Sequence, residues 1–479
     1  QSDARQSHLL HVRSCNVDSE ILYVVRSGGI RMKTCVVRNA RVVTPTGLVE
    51  GDVVVENGRF ARIGGDRADL PEVAAGGLVM MPGGVDTHVH LMDPGPTERE
   101  DFPTGTRAAA ARGVTTIIEH THAHPIREVA DLAEKRSHLT GRSNVDFALA
   151  AHVWPDRISQ IPGLWDAGVA FFKIFTCTTH GVPGIDPGHL HAALAAVADR
   201  DARALIHCED ESMTAEAERL LRAEGRADPG ILTEWRNREA ELVAIAAASV
   251  IARATRAAVT FAHVSSAEVI EVVAAARRWG ADIAAEACPQ YFALEEAEVL
   301  AEGPLRKFTP PARIRDEADR NEMWEAVRSG AFSHFSTDHA PSTMEQKSHG
   351  DMWEAPFGLP GLDTTYPFLI DAALTGVIDL TTAARLYSQA PAERYGLATR
   401  KGAIRVGADA DFVLIDPEQN WTVANGDIIS KAGWSPYAGR TFKGRIVATY
   451  LRGEEIARDG HAHDTRSGMF LPGMGGRGY

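Results

Sequence analysis

Eight short apolar runs punctuate the middle of the chain, at 78–90, 115–120, 145–152, 169–175, 204–207, 259–263, 282–287 and 331–338. Most of them end in a polar residue of metal-binding or acid–base type. Alanine-rich stretches with helical spacing lie between them, as at 190–200, 239–254 and 267–279. Eight strand–helix units in succession predict a (β/α)8 TIM barrel over 81–400. A doubly wound sheet is the other arrangement that such alternation allows. Outside the barrel the period changes. Short strand-like runs bounded by turn residues occur at 36–37, 51–55 and 59–63, and again at 411–415, 444–451 and 454–457. The two β-rich segments, 32–80 and 401–460, are expected to meet in one small β-sandwich, with 461–479 as a C-terminal tail. Gln1 opens the chain, the first methionine is Met32, and regular patterning starts at Lys33. Residues 1–31 therefore read as an extension that need not be native; an arm used in assembly is the alternative.

Composition narrows the function. At 479 residues, with 44% hydrophobic and 24% charged, the chain suits one large barrel plus an accessory domain. A net charge of −14 argues against nucleic-acid or anionic-membrane partners. No apolar run approaches the ~20 residues of a membrane helix. The five cysteines, Cys15, Cys35, Cys177, Cys208 and Cys288, are odd in number and never spaced CxxC. That is no disulfide framework, and a reducing cytoplasm is expected.

In a TIM barrel, chemistry collects at the C-terminal ends of the strands. The first run ends Thr87-His88-Val89-His90, and residues two apart on a strand share a face, so two imidazoles aim inward. The fourth carries Lys173 among Phe171, Phe172 and Phe175. Burial there depresses an amine's pKa, and a neutral amine can add carbon dioxide to become a bidentate carbamate. The fifth and sixth end in His207 and His263, and the eighth reaches Asp338. Each of these could be structural by itself. Together they form a set suited to two divalent ions, which lower the pKa of water and polarise a carbonyl. Asp338 can ligate and also shuttle a proton.

Several stretches carry a resemblance: MPGGVDTHVH, FFKIF, LIHCED, FAHVSS, ACPQYF, STDHAPS, FGLPGLD, GAIRVGADADFVLID and SPYAGRTFKGRIVATYLRG, in this order. In them the chain resembles the cyclic-amide hydrolases of the amidohydrolase superfamily: allantoinase, dihydropyrimidinase (hydantoinase) and dihydroorotase. The likeness runs from about Lys33 to Gly460. It implies that His88, His90 and Asp338 hold one zinc ion, His207 and His263 a second, and carboxylated Lys173 bridges them. It also implies a homotetramer and a small β-sandwich beside the barrel. A non-catalytic scaffold of the dihydropyrimidinase-related kind would have lost ligands, and all six positions survive.

Substrate choice is read from departures. Dihydroorotase-like enzymes place an arginine where Met92 stands, so their anionic substrate would lack its partner here. Hydantoinases place a tyrosine where Thr178 stands. Allantoinase fits best, with a hydantoinase acting on a 5-substituted hydantoin or another cyclic imide as the alternative. Allantoinases, though, typically have an apolar-proline-asparagine stretch where this chain reads Glu119-His120-Thr121-His122-Ala123-His124, and a serine in place of Ala340. His120 and His122, with Thr178, Thr309 and Phe357, are the expected substrate contacts; a histidine-rich surface loop is the other reading. Two motifs carry no expectation of function: the terminal Gly473-Met474-Gly475-Gly476-Arg477-Gly478 precedes no helix, and Cys208 alternates away from the barrel axis.

Overall fold

The computed structural model describes residues 33–65 and 67–476. The reading of 1–31 and of Cys15 lies outside them. Eight parallel strands form the barrel: Gly84–Val89, Val114–Glu119, Asp146–Leu149 continued by Ala151–His152, Phe172–Phe175, Arg203–His207, Ala258–Phe261, Ile283–Ala287 and His334–Phe335. A parallel bridge between Val89 and His339 closes the last strand onto the first. Helices such as Pro187–Ala198, Arg238–Thr255 and Ala267–Arg278 form the outer ring.

Alternation explains the two layers of core. Phe172, Ile174, Ala204 and Ile206 pack outward among the helices. Phe171, Leu205, Ile118 and Val85 point inward, where Ala392, Tyr395 and Leu471 close the floor.

Residues 35–82 and 412–462 meet in one nine-stranded sheet. Cys35–Thr44, Gly47–Glu56, Arg59–Ile63, Glu72–Ala74 and Val79–Pro82 supply one side; Phe412–Thr422, Thr441–Leu451, Glu454–Arg458 and His461–Ala462 supply the other. The seam is Val79–Pro82, antiparallel to Phe412–Thr422. The apolar run at 78–90 is therefore two strands rather than one: Gly83 separates Val79–Pro82, in the flanking sheet, from Gly84–Val89, in the barrel. Period two serves both cores. Met80, Phe412 and Leu414 face the interior of the small domain, while Val79, Met81, Val413 and Ile415 face the barrel.

The segment read as a tail is built in. Met469 O accepts from Phe147 N (2.9 Å), and Leu471 N donates to Phe147 O (2.7 Å) under the barrel. A Cβ on Gly473 would sit 2.1 Å from Val169 O, and one on Gly475 2.3 Å from Trp165 O. These glycines permit backbone to lie against backbone.

Asp146, Asp409 and Asp411 cluster where the small domain meets the barrel. Their centre is filled by the Lys401 ammonium, 2.5 Å from Asp146, 2.7 Å from Asp411 and 2.9 Å from Asp409. Arg452 pairs with Asp146 as well. Lys401→Met is expected to leave three buried carboxylates short of charge, costing about 3–5 kcal/mol. Chemical denaturation would show it as a lowered midpoint with unchanged slope; an unchanged midpoint refutes the role.

Candidate active site

The ends of the barrel strands surround a cavity of about 320 Å³, lined by His88, His90, His122, Lys173, Phe175, His180, His207, His263, Thr309, Asp338, Ala340, Phe357 and Gly358. All six expected ligands are among them. The backbone reaches this convergence in three ways. Simple alternation turns Lys173 and His207 inward. In the first strand, an irregularity between Asp86 and Val89 shifts the register, so that Val85, His88 and His90 all face the axis. His263 and Asp338 lie beyond their strands with φ of 37° and 50°. Left-handed backbone is costly for non-glycine residues, and here it swings both side chains to the site.

Proton placement is set from outside. His88 Nδ1 lies 2.7 Å from Glu286 Oε1, His90 Nδ1 3.1 Å from the His120 carbonyl, and His207 Nε2 2.7 Å from Glu209 Oε2. Neither a carbonyl nor an ionised carboxylate can donate, so each outer nitrogen carries the proton. The other nitrogen of each ring presents a lone pair to the cavity. His207 Nδ1 is 2.9 Å from His263 Nε2, and His88 Nε2 is 3.2 Å from both Lys173 Nζ and Asp338 Oδ1. Burial lowers the pKa of His88 to about 4 and keeps those of His90 and His263 well below the usual range. Neutral imidazoles are the form that binds metal. Burial also lowers the Lys173 pKa and raises that of Asp338. The amine can therefore be neutral, as carbamate formation requires. His263 Nδ1 is buried and has no hydrogen-bond partner. Four neutral nitrogen donors, a carboxyl group and an activatable amine converge in one small cavity, and this donor set fits two divalent ions.

The expected substrate contacts divide. Thr309, Phe357 and His122 line the cavity. Thr309 Oγ1 donates to Glu209 Oε2 (2.7 Å). Phe357 is backed by the Lys307 ammonium, 4.4 Å from its ring centre. Gly358, at φ 108°, presses on Ala340, where a Cβ would meet Ala340 O at 2.3 Å. Thr178 is exposed and absent from the lining; its hydroxyl accepts from Gly184 N (3.2 Å). His180 lines the wall instead, stacked on His122 with ring centres 4.4 Å apart. His120 is fully buried beside His88 and His90 and does not line the cavity. His124 is partly exposed and also outside it.

Sequence reasoning missed Glu286, Glu209, Arg236 and His180. Two left a signal. Glu286 is the lone charge in the buried strand Ile283–Ala287, and Glu209 follows His207 at the same-face spacing. Arg236, 3.3 Å from Glu209 and 3.2 Å from Cys177 Sγ, comes from a distant loop and left none. Its guanidinium holds Cys177 and Glu209, and Glu209 in turn positions His207. Cys208 faces outward into the helical core, as its alternation predicts.

The family model of the amidohydrolase family matches residues 79–456. The chain belongs to that family, and is a metal-dependent hydrolase acting on carbon–nitrogen bonds of cyclic amides. Among named relatives it is similar to an allantoinase of Rubrobacter xylanophilus, 33% identical over 446 residues (91% of this chain, 97% of the relative). An allantoinase of Streptomyces avermitilis is 34% identical over 437 residues (89% and 96%). Among solved structures it is similar to the L-hydantoinase (dihydropyrimidinase) of Arthrobacter aurescens, with a TM-score of 0.87, 28% identity and coverage of 91% and 99%.

Proposed function

We propose that this enzyme opens the five-membered ring of allantoin. His88, His90 and Asp338 would hold one divalent ion, His207 and His263 another, with carboxylated Lys173 bridging and zinc the expected metal. The ions supply a water activated near neutral pH and Lewis-acid polarisation of the amide carbonyl. The protein's own groups do the rest. Asp338, at 3.2 Å from His88 and 3.6 Å from His90, accepts the proton of the attacking water and returns it to the leaving ring nitrogen. Glu286 and Glu209 hold His88 and His207 in the ligating tautomer. Phe175 and Phe357 supply apolar surface to the cavity lining.

The observation that carries the substrate is the wall made by His122 and His180. It gives the cavity polar groups beside the metal-ligand cluster, suited to an uncharged hydrogen-bonding arm such as a ureido group, and the full-length likeness to allantoinases supports the same ring. Higher kcat/KM is expected for allantoin than for hydantoin, dihydrouracil or dihydroorotate. His122→Ala should narrow that preference by about 1–3 kcal/mol, the range for one buried polar contact. Ring opening of an alkyl- or aryl-hydantoin without any of allantoin would remove the allantoin assignment. That outcome is the second reading, and the fold similarity to L-hydantoinase favours it.

Two divalent ions per chain are expected by elemental analysis of purified protein, with activity lost on strong chelation and regained on adding zinc. Full turnover in metal-free protein would dismiss the assignment. We also place the enzyme in a reducing compartment such as the cytoplasm, since all four described cysteines are free and buried. A homotetramer is the expected assembly, to be checked by light scattering. Among the described residues no helix is long and apolar enough to cross a membrane.

A further inference from the structure

We infer that His120 is an additional ligand to the metal held by His88 and His90, giving that position three imidazoles. The inference rests on the two-metal reading above. The donor atoms of His88, His90 and His120 all lie within 4.8 Å of one another. Donors bound to one ion at about 2.0–2.1 Å lie roughly 3–4 Å apart, so the three rings would close inward from within 4.8 Å to share it. The His120 ring centre is 4.6 Å from those of both His88 and His90.

The ring has no structural occupation of its own. His120 is 1% exposed, and neither of its nitrogens has a hydrogen-bond partner. Buried polar atoms are ordinarily paired, and each orphan costs about 1–3 kcal/mol. His88, His90 and His207 each have one nitrogen assigned to an acceptor; His120 lacks such an acceptor. A neutral imidazole keeps one lone pair free for a metal. The backbone holds the ring in place. His120 N donates to Val89 O (3.0 Å), between the two ligand histidines. On one side Glu119 is fixed by Lys135 at 2.6 Å and accepts from Thr121 N at 2.9 Å. Where Ile118 faces the barrel interior, its i+2 neighbour His120 follows onto the same face.

The histidine run on the second strand thus has two separate functions. His122 reaches the substrate cavity, while His120 lies beside His88 and His90. A third imidazole should tighten that ion and favour zinc or cobalt over manganese.

The test compares wild type, His120→Asn and His152→Asn, each loaded with zinc or cobalt(II). His152 is the control: it is another buried histidine with both nitrogens unpaired, outside the triad. Under a competing chelator, His120→Asn is expected to lose one of its two ions at least about tenfold more readily than wild type. Its cobalt(II) absorption spectrum should change, while the melting of its circular dichroism stays cooperative. His152→Asn should retain both ions. X-ray absorption on wild-type protein, which needs no variant, should fit five imidazoles shared by two ions. Wild-type retention and an unchanged cobalt spectrum in His120→Asn would overturn the inference, as would equal loss in His152→Asn or a fit to four imidazoles. Wild-type protein that binds no metal would overturn the two-metal reading itself.

Discussion

Lys173→Ala should yield a folded protein with fewer than two metal ions per chain and kcat/KM lowered by roughly 10³-fold or more, at least about 4 kcal/mol of transition-state stabilisation. The amine is 1% exposed, 3.2 Å from His88 Nε2 and 5.1 Å from the centre of the Phe175 ring. Burial lowers its pKa to about 8, which raises the share of neutral amine able to attack carbon dioxide. Alanine would remove the proposed bridging anion and leave a space that acetate or propionate can enter, so these acids should restore part of both metal content and rate. Lys173→Arg should not be rescued, because a guanidinium neither forms a carbamate nor ligates metal. Normal turnover in Lys173→Arg would end the bridging role. Metal analysis and initial rates on the same samples decide the matter.

Asp338→Asn is expected to lower kcat by about 10²–10⁴-fold, the usual range for losing general acid–base catalysis. KM should change much less. The carboxyl group sits among His88 and His90, at a backbone φ of 50° that aims it into the cavity. Asparagine keeps the shape and a carbonyl oxygen able to approach a metal, but cannot accept a proton. A proton carrier therefore fails in kcat, whereas a group that only binds substrate fails in KM. Steady-state kinetics on allantoin, with metal content measured alongside, separates the two. Loss confined to KM would assign Asp338 to binding.

Much of this site was legible because strands impose a period of two. Once Phe172 and Ile174 are outward, Lys173 must be inward; once Ala204 and Ile206 are outward, so must His207 be inward. The same rule turned Cys208 away from the axis. Where period two breaks, a correct reading needed the fold. Val85 is inward, so strict alternation would place His88 outward, and only the register shift between Asp86 and Val89 reverses it. Phe261 is outward and Ala262 inward, so His263 should face out, and its φ of 37° brings it back.

Residue type and local spacing by themselves determined the eight βα units, the two β-rich ends and the identity of the six candidate ligands. Apolar periodicity is a local property, and these elements satisfy it within a few residues. The tertiary structure decided what depends on distant neighbours. It divided the run at 78–90 between two domains, because Val79–Pro82 finds its partner in Phe412–Thr422. It replaced Thr178 with His180 at the cavity wall. It also set Glu286 against His88 across 198 residues of chain, and laid His120 beside His88 and His90 rather than on the cavity wall. Each of these follows from closing a barrel, which brings the ends of separate strands within hydrogen-bonding reach, and no window of sequence contains that closure.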